Sequence, residues 1–118
     1  MKRQLAKIRR VIEMKIGHIH IINADKKNQP LSSFDPHHIL LTCGLSFNAT
    51  VTASSIDDDG FVYCLQRSIF TLSHRVILPQ EFHISWQKKR EDLYPCLETV
   101  TLLLVCEIPI ETIRELQF

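Results

Sequence analysis

Apolar and polar positions change their period several times along the chain, and each change marks an element. Leu5, Ile8 and Ile12 recur at helical spacing, so residues 1–15 predict an amphipathic helix whose lysines and arginines lie mostly off the stripe. The β-branched run Ile19, Ile21 and Ile22 then predicts a strand within 16–24. Residues 25–30 have turn composition, 31–36 are irregular between two prolines, and 37–45 read as a buried strand. Phe47, Ala49, Val51 and Ala53 alternate strictly with Asn48, Thr50, Thr52 and Ser54, which gives one dry and one wet face. The Asp57-Asp58-Asp59-Gly60 segment follows and strand character resumes over 61–70, so 47–70 predicts an antiparallel hairpin. Residues 75–78 form a short strand cut off by Pro79, and Phe82, Ile84 and Trp86 alternate again. Residues 87–92 are a charged loop. Residues 96–108, apolar on both faces around Leu102–Val105, read as a long central strand. Pro109 opens a short C-terminal helix with Ile110, Ile113 and Leu116 on one side.

These elements predict a mainly β chain of about six or seven strands with a short helix at each end. Connections that look too short for helical crossovers imply antiparallel pairing, in a β-sandwich or open barrel. The alternative is an α+β chain with its helices on one face of an antiparallel sheet. One domain is expected over 1–118: a basic amphipathic helix or arm at 1–15, a β-domain at 16–108 and a C-terminal helix at 109–118.

Composition narrows the class. The chain has 118 residues, 45% hydrophobic and 23% charged, as a single globular domain would have. Its longest apolar run, 102–106, falls far short of the ~20 residues of a membrane helix. No apolar stretch follows Lys2 and Arg3, so the expectation is an intracellular protein, soluble or peripherally membrane-associated. Cys43, Cys64, Cys96 and Cys106 form no Cys-x-x-Cys pair and each lies among apolar neighbours, so they are expected to be reduced, mostly buried thiols.

Charge is unevenly spread. Residues 1–15 carry six basic side chains against one acid, net +5, and the other residues carry eight against twelve, net −4. A basic arm on a mildly acidic body points to an anionic partner, nucleic acid or anionic lipid. Its contact residues would be Lys2, Arg3, Lys7, Arg9 and Arg10. Lys88, Lys89 and Arg90, between Trp86 and Tyr94, form a second basic cluster whose rings could stack on bases or sit in a lipid interface.

Signals for catalysis are sparse. His18 and His20, one residue apart in a strand, point to the same side and would suit a metal, with His37, His38, His74 or His83 completing the set. No carboxylate stands at a recognisable spacing from them. The Asp57–Gly60 segment is not a calcium loop, because position 68 is Ser where the bidentate Glu belongs. No nucleophile elbow or phosphate-binding glycine loop occurs, and no cofactor is implied. In arrangement alone, a basic arm before a compact β-domain is similar to small viral matrix and coat proteins, which self-assemble and bind RNA or anionic membrane. The expected function is therefore a non-enzymatic, homo-oligomeric binding module with a basic arm. The rivals are a metal-dependent enzyme built on His18 and His20, and an adaptor whose basic helix docks on an acidic protein.

Overall fold

The computed structural model describes residues 19–23, 25, 39–46, 48–86, 93–116 and 118. Among them the chain runs β1 (Ile19–Asn23), β2 (Ile39–Cys43), β3 (Val51–Asp57), β4 (Gly60–Leu65), β5 (Ile69–Phe70), β6 (Val76–Ile77), β7 (Gln80–Ser85), α1 (Tyr94–Val105) and α2 (Ile110–Glu115). Strands dominate, as the alternation predicts. The helix expected over 1–15 lies outside the described residues.

The hairpin of β3 and β4 forms around the expected turn but covers 51–65 rather than 47–70: residues 48–50 are turn and bend, and 69–70 pair with β6. Val51 pairs with Leu65 and Ala53 with Tyr63, and Val51 is fully buried while Thr52, on the other face, is half-buried. Asp57 shapes the turn, its Oδ1 accepting the amides of Asp59 at 2.8 Å and Gly60 at 3.1 Å. Gly60 has φ 148°, and a Cβ there would lie 2.0 Å from the Ile84 carbonyl oxygen, so this strand entry requires glycine. β7 adds to β4 antiparallel, from Gly60↔Ser85 to Leu65↔Gln80.

The sheet order is β1-β2-β3-β4-β7, and β5 and β6 form a separate two-stranded sheet. The large sheet is mixed and does not close into a barrel, which corrects the uniformly antiparallel expectation. β1 and β2 run parallel through five residue pairs. Residues 24–38 between them supply the dozen or more residues that a parallel return needs. β2 and β3 also run parallel, but they meet at the single pair Cys43↔Val51, so residues 44–50 suffice to step sideways.

A second correction concerns 96–108, expected as a central strand: the chain there is helical as far as Val105, and 106–108 form the turn that ends the helix. Pro95 sits in the first turn of α1, and Cys96, Leu97, Val100, Thr101, Leu103, Leu104 and Val105 are buried. A run that is apolar all round fits a buried helix as well as a buried strand, and periodicity alone cannot separate the two. The helix covers the dry face of a sheet that already has its strands. Leu41, Cys43, Val51, Phe61, Tyr63, Phe82 and Ile84 pack with α1 and with Ile113 of α2 in one core. The architecture thus has its helices packed into the core on one side of the sheet. Tyr63 stacks on Phe82 with ring centroids 5.0 Å apart, and Phe61 meets Trp86 at 5.2 Å. Each such pair adds about 0.5–1.5 kcal/mol beyond its buried area.

Candidate functional site

Leu65, the last residue of β4, pairs with Gln80, the first of β7, so residues 66–79 are an enlarged connection between two neighbouring strands. Within it β5 and β6 pair as Ile69↔Ile77 and Phe70↔Val76. Consecutive apolar residues at 69–70 and 76–78 necessarily point to both faces of this ribbon. Only one face meets the core. Ile69 is 3% exposed, whereas Phe70, Val76 and Leu78 are 57%, 52% and 66% exposed. Leu72 adds to this outer apolar surface. Between Gly60 and Gln80 the only charged residues are Arg67 and Arg75, both exposed. The ribbon is therefore apolar with a basic rim.

Its tip is tied down. The Leu72 amide donates to the Val105 carbonyl at 3.0 Å, and the Thr71 amide donates to the Arg75 carbonyl at 2.8 Å. The Thr71 hydroxyl donates to Glu107 at 2.7 Å, the Ser73 hydroxyl donates to the same carboxylate oxygen, and Arg75 Nε lies 3.9 Å from it. The Ser73 hydroxyl, and after it that of Thr71, hold the Glu107 carboxyl below its usual 4.5. Glu107 has φ 64° and closes α1 with bonds from its own amide to Leu104 O and from the Ile108 amide to Leu103 O. Beside the ribbon a groove of about 260 Å³ is lined by Val76, Ile77, Leu104, Ile108, Pro109 and Ile110, among others.

No family model, no curated protein and no solved structure matches this chain. Its chemistry must be read from its own residues.

The anion-binding candidates Lys2, Arg3, Lys7, Arg9, Arg10, Lys88, Lys89 and Arg90 lie outside the described residues, as do His18, His37 and His38. His20 lies on β1 and His83 on β7, the two edges of the five-stranded sheet. Four strand spacings separate them, ~19 Å, too far for one metal ion. His74 sits at the tip of the β5–β6 ribbon with φ 64°. Among the described residues no three His, Cys, Asp or Glu side chains gather as a metal site requires. Trp86 is not an exposed stacking platform. It is 5% exposed, and its Nε1 lies 3.0 Å from the carbonyl oxygens of both Asp57 and Asp58, which bolts the β3–β4 turn to the core. Tyr94 donates its hydroxyl to Asp25, whose other Oδ2 partner is the Leu45 amide at 2.8 Å. The Tyr94 hydroxyl, and then the Leu45 amide, hold the Asp25 carboxyl below its usual 3.8.

Cys43 and Tyr63 are buried in the core. Tyr63 Oη lies 2.8 Å from Thr101 Oγ1, which donates onward to the Leu97 carbonyl at 2.7 Å, and Cys43 Sγ is 3.8 Å from the same oxygen. Burial pushes the Cys43 thiol up to about 12 and the Tyr63 phenol well above its usual range. Both stay protonated at neutral pH and make poor nucleophiles. A recess of about 270 Å³ between β7 and α2 mixes Glu111 and Glu115 with Arg114 and His83, so it presents no single sign of charge. Among the described residues, no helix is long and apolar enough to cross a membrane.

Sequence reasoning passed over the ribbon. Its signal is two short apolar runs on either side of a polar tip, with no acid from 60 to 80. In a ribbon of two-residue strands, that pattern must leave apolar side chains outside.

Proposed function

We propose that the protein is a non-catalytic, self-associating binding module whose contact surface is the outer face of the β5–β6 ribbon. The observation that carries this reading is the exposure of Phe70, Val76 and Leu78 by more than half on one ribbon hydrogen-bonded to the end of α1. Apolar surface left contiguous in this way is characteristic of contact sites. The +5 charge of residues 1–15 supports a second role, in which Lys2, Arg3, Lys7, Arg9 and Arg10, with Lys88, Lys89 and Arg90, engage an anionic partner such as RNA or anionic lipid. Together these features make a matrix- or coat-like structural protein the reading that fits best.

Sedimentation velocity over a concentration series tests the first role. The wild-type chain is expected to associate as its concentration rises. The double variant Phe70→Ser, Leu78→Ser should remain monomeric and keep its far-UV spectrum and melting temperature, because exposed substitutions cost only about 0.5 kcal/mol each. A wild-type chain that stays monomeric throughout, or a double variant that associates equally well, would overturn the reading.

A further inference from the structure

We infer that the occupant of the ribbon is the β3–β4 turn of a second copy of this chain, joined head to tail. This inference rests on the self-association proposed above and names its geometry. The ribbon's own charged residues are Arg67 and Arg75; Arg75 lies 3.9 Å from Glu107, so the unpaired charge is that of Arg67. A two-fold contact of ribbon on ribbon would bring two unpaired copies of Arg67 toward each other around an apolar centre, which is unfavourable. The same chain carries a surface of the opposite sign. Asp57, Asp58 and Asp59 are exposed at the β3–β4 turn, and Ile56 beside them is 41% exposed. Asp57 is engaged in shaping the turn. Among the described residues, Arg67 and the carboxylates of Asp58 and Asp59 have no ion-pair partner. Each surface therefore offers apolar area and unmatched charge that the other complements.

Topology separates the two surfaces. The turn leads into β4 and the ribbon leaves after its end, so they depart from the sheet at opposite ends of a strand ~20 Å long. Trp86 fixes the turn and Glu107 fixes the ribbon, so both are preorganised. A contact between unlike surfaces repeats from copy to copy, producing a ring if the rotation closes and a filament if it does not.

The test uses full-length chains broken at one end only. Arg67→Glu reverses the unpaired charge of the ribbon and leaves the turn intact. The double variant Asp58→Lys, Asp59→Lys does the reverse, and circular dichroism checks that both fold. Each alone should associate roughly tenfold more weakly than wild type, since like charges then face each other. Mixed in equal amounts, they should associate again, because the intact turn meets the intact ribbon and the lysine-bearing turn meets the ribbon carrying Arg67→Glu as a charge-swapped pair; a mixture that associates no better than either variant alone would overturn the inference. If Asp58→Lys, Asp59→Lys associates like wild type while Phe70→Ser, Leu78→Ser does not associate, the head-to-tail inference fails and the contact surface stands. If neither set of changes affects association, both fail. If the wild type binds phosphatidylserine vesicles through Phe70 and Leu78 but never self-associates, the occupant is a lipid surface and the inference is overturned.

Discussion

Glu107 occupies the position after α1 where glycine is the usual residue, because the backbone there has positive φ. The strain is offset by the work its carboxylate does, accepting the hydroxyls of Ser73 and Thr71 and so fastening the ribbon to the helix end. Those hydrogen bonds hold its pKa below the usual 4.5. A carboxylate depressed in the folded state stabilises the fold above its unfolded pKa, and that contribution disappears as pH falls through the folded value. The tether is therefore complete above about pH 4.5 and is lost below it. In an NMR titration the Thr71 and Ser73 amide resonances should show a step with a midpoint below 4.5, and that step should be absent in Glu107→Gln. A midpoint at or above 4.5 would contradict the hydrogen bonding described.

At the scale of elements, the β3–β4 hairpin is the best-determined unit and its two faces differ sharply. Val51 is fully buried against the helices, and Thr52 is half-buried on the opposite face. Val51→Asp buries an unpaired charge and should destabilise the chain by roughly 3 kcal/mol or more. Thr52→Asp should cost less than about 1 kcal/mol. Chemical denaturation of both variants checks this, and equal losses would mean a register one residue out. The local alternation made this hairpin legible, and the Asp-Gly turn fixed its closing point. The same logic failed on α1. Leu102–Val105 offers no alternation to read, and what makes it a helix is the sheet already in place, whose dry face needs a covering layer.

For the whole molecule, the separation of charge between residues 1–15 and the remainder is the feature that an anionic partner would use. If the arm makes about five phosphate contacts, log affinity for single-stranded nucleic acid should fall against log salt with a slope of about −3.5. Deleting residues 2–10 removes Lys2, Arg3, Lys7, Arg9 and Arg10, so most polyanion binding should go while the far-UV spectrum of the β-domain persists. Fluorescence anisotropy at several salt concentrations measures both. Undiminished binding by the truncated chain would remove the arm from the proposed function. The basic cluster at 88–90 has a weaker case, because Trp86, its expected stacking partner, is committed to the β3–β4 turn.

Much of the local structure is determined by the amino-acid sequence alone. Alternation sets β3 and β7, the Asp-Gly turn places the start of β4, β-branching marks β1, and Pro109 places the start of α2. These are signals within a few residues, and they survive folding because the side chains that alternate are the ones the core sorts. Tertiary structure decided what local period cannot express: that β1 and β2 run parallel, that 94–105 is a helix, and that His20 and His83 stand at opposite edges. It also decided the candidate site. Ile69 and Phe70 are neighbours of the same kind in the sequence, and only the packing of the core determines that the first is buried and the second exposed. Hydrophobicity selects which residues seek a partner, and the arrangement of the layers determines which of them find it within their own chain.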